Sequence, residues 1–197
     1  MPFRLLSLVT VLFLTTFPAA AAIVWVTGGP GVTTVDFSKP PSADPAVVTD
    51  QITPLVILGR TDEMGIFNLA TELSFERHFS PAGTEWAFAD LEGNPAALDA
   101  SDFASLNFTN WEDSLGSRFA LLGNIVDRPG VLHLTDEDIY LDITFTAWGG
   151  PGEGGIFSYT RTSGPIPEPS SALLLLAGGV LLCSRRRRVE ESVKSDR

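Results

Sequence analysis

Carboxylates are the most abundant reactive side chains in this sequence, and the densest cluster runs from Asp136 to Asp138, with Asp142 close behind. The D-x-D spacing places Asp136 and Asp138 on the same side of an extended chain, where their oxygens can bind calcium. A carboxylate pair can also hydrolyse glycosidic bonds when the two groups lie about 5–10 Å apart across a cleft. Acidic residues at the start of a strand are more often simply solvated. The sequence keeps all three interpretations open.

Other groups with catalytic chemistry are few. The two histidines are His78 and His133, and His133 lies in an apolar run, where a packed or rim position is the commoner role. No G-x-S-x-G nucleophile elbow is present. The glycine-rich stretch Gly28–Gly31 lacks both the P-loop lysine and the dinucleotide-binding spacing. We therefore assign no catalytic residue and expect no cofactor.

Three tryptophans offer a different kind of site, an aromatic platform for sugar rings. They are Trp86, Trp111 and Trp148. Trp148 is the most suggestive, because alternation along its strand places it opposite the apolar face and beside a glycine-rich turn. Packing in a core or hairpin is nevertheless the commoner role of each ring.

The charge balance narrows the classes of partner. The 197 residues carry a formal net charge of -11 at pH 7, and the stretch from Ile23 to Pro165 holds 20 acidic against 6 basic side chains. Such a field repels nucleic acid and anionic lipid, so binding to DNA or RNA is not expected. The single cysteine, Cys183, lies in a C-terminal apolar run. The stretch before it therefore has neither a disulfide nor a CxxC metal site.

The N-terminal segment has the pattern of a secretory signal peptide. Arg4 supplies a positive charge, Leu5–Phe17 is continuously apolar, and Pro18 precedes the small residues Ala19–Ala22. As a helix the apolar run reaches only about 20 Å, too short to span a bilayer comfortably. We expect signal peptidase to cleave after Ala22.

The C-terminal segment has three parts, which are Pro167, Glu168 and Pro169, then the apolar run Ser170–Cys183, then Arg185, Arg186, Arg187 and Arg188. The two prolines hold the backbone extended and remove N–H donors, so this stretch can lie in a protease cleft as a strand-like ligand. The apolar run is predicted to enter the bilayer as a short helix. The arginines resist translocation and stay in the cytoplasm, which keeps the preceding domain outside.

This order of motif, apolar helix and arginine cluster resembles the PEP-CTERM sorting domain of Gram-negative bacteria, over Ile166–Arg188. The resemblance implies recognition and cleavage near the motif by an exosortase, an inner-membrane cysteine protease or transpeptidase. It also implies a context of extracellular polysaccharide and biofilm. Family members usually stop soon after the arginines, whereas this chain continues through Val189–Arg197, interpreted here as a cytoplasmic tail. An ordinary one-pass membrane protein is the alternative.

The stretch between the two signals is predicted to be all-β. Ile139–Trp148 alternates strictly, with Ile139, Leu141, Ile143, Phe145 and Ala147 on one face. The turn Gly149–Gly155 then leads into Ile156–Thr162, which predicts a long hairpin. Further strands are expected at Ile23–Thr27, Val32–Phe37, Leu55–Leu58, Leu106–Trp111 and Val131–Leu134, and Phe67–Phe79 fits a short amphipathic helix or two strands. This spacing predicts a β-sandwich or jelly roll.

Two phrases in this stretch are also similar to a domain found in many PEP-CTERM proteins. They are Arg60–Ala87, with GIFNLATE and SPAGTEWA, and the hairpin DIYLDITFTAWG…GGIFSYTR. The resemblance extends the likeness to most of the chain but implies no activity and no site.

We therefore expect a signal peptide (1–22), an extracellular β-sandwich domain (23–165), a sorting signal (166–188) and a cytoplasmic tail (189–197). The expected function is that of an exported, non-enzymatic surface or matrix protein associated with exopolysaccharide or biofilm. It is anchored transiently in the inner membrane and then reaches the cell surface or the medium. Its expected partners are signal peptidase, an exosortase-type enzyme and exopolysaccharide. The alternatives are a secreted carbohydrate-active enzyme and a calcium-stabilised carbohydrate-binding or adhesion module.

Overall fold

The computed structural model of the protein describes residues 21–61, 64–150 and 152–166. Most of the predicted signal peptide, and the predicted sorting signal and tail from Pro167 onward, lie outside the described residues. Within them the chain is mostly strand with a few short helices, which confirms the all-β class. The sandwich or jelly-roll arrangement stays a prediction.

The described strands form two sheets. They are β1 Ile23–Trp25, β2 Thr33–Lys39, β3 Asp50–Gln51, β4 Ile57–Arg60, β5 Ile66–Asn68, β6 Thr84–Phe88, β7 Pro129–Leu134, β8 Ile139–Trp148 and β9 Phe157–Ser163. The larger sheet has the order β2-β9-β8-β7-β6, and β1 pairs in parallel with the first residues of β8. All other pairs in it are antiparallel. The smaller sheet has the order β3-β4-β5.

The alternation predicted for β8 holds over most of the strand and then fails. Ile139, Leu141, Ile143 and Phe145 are all buried. The register with β9 then shifts between Phe145 and Ala147, which is a β-bulge. The extra residue returns Trp148 to the core side, where it packs against the main hydrophobic cluster. The prediction that Trp148 lies on the opposite face is therefore wrong.

Three other segments differ from the sequence-based prediction. Leu106–Trp111 forms no strand, and its only ladder contact is an isolated bridge between Thr109 and Trp86. Within Phe67–Phe79 the chain is neither a helix nor two strands, because β5 ends at Asn68 and turns follow. Strand β6 was not predicted, since four of its five residues are buried and no alternation marks it.

Both faces of the larger sheet are covered. On one face lies the main core, which includes Trp86, Trp111, Phe145 and Tyr159. On the other face a 3₁₀ helix, Ala100–Ser105, begins with a capping box at Asp99 and covers a smaller apolar cluster. This second layer explains why the stretch near residue 106 is apolar without being a strand.

A buried ion pair links the two sheets. Arg161 on β9 donates to both carboxylate oxygens of Asp50 on β3, at 2.5 and 2.7 Å, and the Tyr159 hydroxyl donates to the same carboxylate at 2.8 Å. Burial raises the pKa of Tyr159 well above its usual range, and the Asp50 charge adds to the rise. Burial alone lowers the pKa of Arg161, but its bonds to Asp50 raise it overall.

Candidate functional site

The acidic cluster that opened the sequence analysis does not converge. Asp142 accepts hydrogen bonds from the Thr27 backbone N–H and hydroxyl at 2.8 and 2.7 Å, and from the Ala100 N–H at 2.7 Å. Asp142 therefore holds the β1–β2 turn and the 3₁₀ helix against the face of the larger sheet opposite the main core. Within residues 21–61, 64–150 and 152–166, no group of three or more Asp, Glu, His or Cys side chains is placed to hold a metal ion.

The structural role of Asp142 gives a direct prediction. Asp142→Ala is expected to lower the free energy of unfolding by about 1–3 kcal/mol, because three donors, two of them exposed and one part-buried, lose a charged acceptor. The measurement is urea unfolding followed by tryptophan fluorescence.

The dependence on calcium is measured by thermal unfolding of the wild type with calcium and with EDTA. Equal curves for the wild type in the two buffers are expected. A fall in Tm of more than about 10 °C on chelation would favour the calcium-stabilised module instead.

The histidines and tryptophans mostly serve packing. His133 on β7 stacks on Tyr140 with centroids 4.2 Å apart and rings nearly parallel, while burial and the neighbouring Asp138 raise the pKa of Tyr140. His78 is exposed, beside Glu112 at 3.5 Å. Trp86 and Trp111 are both 0% exposed, so neither can be a sugar platform.

One pocket combines charge and aromatic rings in a way that the sequence did not indicate. Its volume is about 250 Å³. It lies at the end of β8, between the loop after β4, the loop after β5 and the short helix Leu121–Asn124. We call it the arginine pocket, and it is lined by Arg60, Met64, Gly65, Phe75, Arg77, Trp111, Glu112, Arg118, Leu121, Leu122, Trp148, Gly149 and Gly150.

Arg60 forms the inner wall of the arginine pocket. Arg60 is 3% exposed, and its guanidinium donates to the carbonyls of Met64, Ile156 and Gly149 at 2.7, 2.8 and 2.7 Å. The guanidinium also lies 3.8 Å from the centroid of the Trp148 ring, a cation–π contact. Burial lowers the pKa of Arg60 to about 10, and the charge of Glu153 opposes that shift. The side chain is therefore a fixed, partly desolvated cation.

The pocket escaped the sequence analysis because its parts share no spacing. Arg60 ends β4, Arg77 lies in a loop, and Arg118 precedes the helix Leu121–Asn124. The one available signal in the sequence was the small number of basic side chains. Residues 23–165 hold only 6 basic side chains, so any three that lie together form an unusual feature of this domain.

The pocket and the C-terminal exit lie at opposite ends of the β8–β9 hairpin. Trp148 pairs with Phe157 at the pocket end, while Ser163 pairs with Thr33 at the other end. Strand β9 has 7 residues, so the two ends are roughly 20 Å apart. Ser163 is followed closely by the first residues of the predicted sorting signal.

The sites predicted for sorting fall mostly outside the described residues. Pro167, Glu168, Pro169 and the arginines at 185–188 all lie there. Ala22 is described and immediately precedes β1, whose Ile23 N–H donates to the Asp138 carbonyl at 2.9 Å. Within the residues that the structure describes, no helix has the length and apolar character needed to cross a membrane.

Comparison with known proteins identifies the C-terminal segment. Residues 165–188 match the family model of the PEP-CTERM protein-sorting motif. The chain is thus an exosortase-targeted, exported protein that carries its sorting signal behind an all-β domain. More particularly, this segment carries the PEP-CTERM sorting motif that the order of motif, apolar run and arginines predicted. No curated protein and no solved structure matches the chain.

Proposed function

We propose that this chain is a non-enzymatic surface or matrix protein of a Gram-negative bacterium, which an exosortase processes and which then associates with exopolysaccharide. The observation that carries the proposal is the sorting motif at residues 165–188. The proposed path runs through signal peptidase, transient anchoring in the inner membrane and delivery to the cell surface or the medium. A β-sandwich or jelly-roll arrangement of the two sheets suits a small, stable module of this kind.

The position of β1 supports cleavage after Ala22. Ile23 is the first residue of the strand and pairs with Ile139 inside the larger sheet. A signal peptide left in place would tether that sheet directly to the membrane. Removal at Ala22 leaves the domain attached through its C-terminal segment.

The test of sorting uses two tags in a host that carries an exosortase. One tag follows Arg197. The other follows Leu73, which is fully exposed, because a tag at the mature N-terminus would disturb β1. We expect wild-type protein to keep the Leu73 tag and lose the tag after Arg197. Glu168→Ala and Pro169→Ala should each leave both tags on one membrane-bound polypeptide, because the processing enzyme loses its extended, charged ligand.

The matched control is Glu190→Ala, which makes the same substitution beyond the arginines and should be processed like the wild type. If wild-type protein keeps both tags on one membrane-bound chain in that host, simple anchoring replaces sorting. Association with polymer is tested separately, by cosedimentation of the purified protein with exopolysaccharide from the same host. Release of reducing ends from that polymer would favour the carbohydrate-active enzyme instead.

A further inference from the structure

The arginine pocket is a positive site in a strongly acidic domain. Residues 23–165 hold 20 acidic and 6 basic side chains, and three of the six basic ones, Arg60, Arg77 and Arg118, line this pocket. Arg77 and Arg118 are exposed, whereas Arg60 is buried. Among the lining residues that the structure describes, Glu112 is the one carboxylate. Glu153, outside this lining, also acts on Arg60, so three cations face two carboxylates. This positive balance favours an anion at the pocket in an otherwise acidic domain.

The inner wall also has hydrogen-bond donors to spare. A guanidinium has five N–H groups, and Arg60 gives three bonds to carbonyls, so two N–H groups have no acceptor among the described residues. The indole Nε1 of Trp111, another lining residue, is buried and likewise has no acceptor among them. Buried donors of this kind normally find a partner, and a planar carboxylate fits a guanidinium through two parallel bonds.

Glu112 distinguishes a sugar acid from a simple anion. Its Oε2 accepts from the His78 N–H at 3.1 Å, and Oε1 has no donor among the described residues. Sugar hydroxyls can donate to it, whereas a fully ionised phosphate or sulfate cannot. The rings of Phe75 and Trp148 add apolar surface to the same lining. A volume of about 250 Å³ is below the roughly 300–1,000 Å³ of pockets for drug-sized ligands, which suits one sugar ring.

We propose that the arginine pocket binds one uronic acid unit, with its carboxylate towards Arg60, Arg77 and Arg118 and its hydroxyls towards Glu112. The inference rests on the proposed association with exopolysaccharide and names the charged sugar that this association recognises. The pocket lies roughly 20 Å along β9 from the end at which the chain leaves towards the sorting signal, so a polymer can reach it while the protein is still anchored.

The test is calorimetric titration of full-length protein in detergent with sodium glucuronate, methyl glucoside and inorganic phosphate. Glucuronate should bind at least tenfold more tightly than either of the other two. Arg77→Gln and Arg118→Gln should each weaken glucuronate binding about tenfold, because each removes a charge-assisted contact. Both side chains are exposed, so both variants should fold. The matched control is Gln51→Glu, which changes the net charge equally at an exposed position outside the pocket and should leave the affinity within twofold.

Equal binding of glucuronate and methyl glucoside, or no loss in the arginine variants, would overturn the assignment. If phosphate binds as tightly as glucuronate, the pocket recognises a simple anion, and the assignment of a sugar ligand is wrong. Cosedimentation with polygalacturonate and with neutral dextran separates this inference from the proposed function. Sedimentation with dextran alone leaves the polysaccharide association standing and removes the uronate site. Tight glucuronate binding without sedimentation by either polymer leaves the uronate site standing and removes the polysaccharide association.

Discussion

Asp50→Asn is expected to lower the free energy of unfolding by about 3–5 kcal/mol, the largest effect of a polar substitution in the described part of the chain. The variant leaves the Arg161 guanidinium 4% exposed and without its bidentate carboxylate, and an uncompensated buried charge is costly. Three donors from Arg161 and Tyr159 then share the one oxygen of the amide, while its NH2 faces a donor in place of an acceptor. Because β3 and β9 belong to different sheets, the loss falls on the contact between them. Urea unfolding followed by tryptophan fluorescence measures it.

Two comparisons make this prediction specific. Asp36→Asn changes the same group on exposed β2, where the carboxylate accepts from the Thr160 hydroxyl at 2.7 Å, and should cost under about 1 kcal/mol. The double variant Asp50→Leu with Arg161→Met should be more stable than Asp50→Asn, since removing both charges leaves none buried alone. Equal costs for Asp50→Asn and Asp36→Asn would contradict the assigned role of the pair.

Phe145→Ala is expected to cost about 3–5 kcal/mol by leaving a cavity in the main core. The ring is 0% exposed and contacts Trp86, Phe88, Trp111, Trp148 and Tyr159. Its neighbour Thr146 is exposed at the bulge of β8. Thr146→Ala should therefore cost under about 1 kcal/mol. Both variants are measured by thermal unfolding, and equal costs would mean that the two faces of β8 are wrongly assigned.

Strand β8 shows how far alternation along the chain predicts the fold. The period of two located the strand from Ile139 to Trp148 and identified its buried face as far as Phe145. It failed at Trp148 because a bulge depends on how β9 pairs, and no local pattern encodes that pairing. Likewise, Leu106 and Phe108 are apolar because they pack in the smaller cluster on one face of the larger sheet, whereas Trp111 packs in the main core on the other face. Both reasons lie in tertiary packing.

The two functional features differ in the same way. The sorting signal is contiguous, so its order of residues was sufficient to predict it, and the family comparison confirmed it. The arginine pocket assembles Arg60, Arg77 and Arg118 from separate loops and strand ends, so only the folded chain brings them together. The role of Asp142 could not be predicted for a related reason. Its carboxylate is consumed by Thr27 and Ala100, donors that are distant in sequence.

The larger sheet can be completed only when the last hairpin is available, because the first two strands pair with it. Strand β1 pairs with β8, and β2 pairs along its whole length with β9, whose final residue is Ser163. A chain that leaves the cell N-terminus first must therefore hold β1 and β2 unpaired until nearly the whole domain has emerged. The sorting motif begins at residue 165, directly after β9. We therefore expect the sheet to be completed at about the time when the sorting signal reaches the membrane, so that the processing enzyme acts on a newly folded domain.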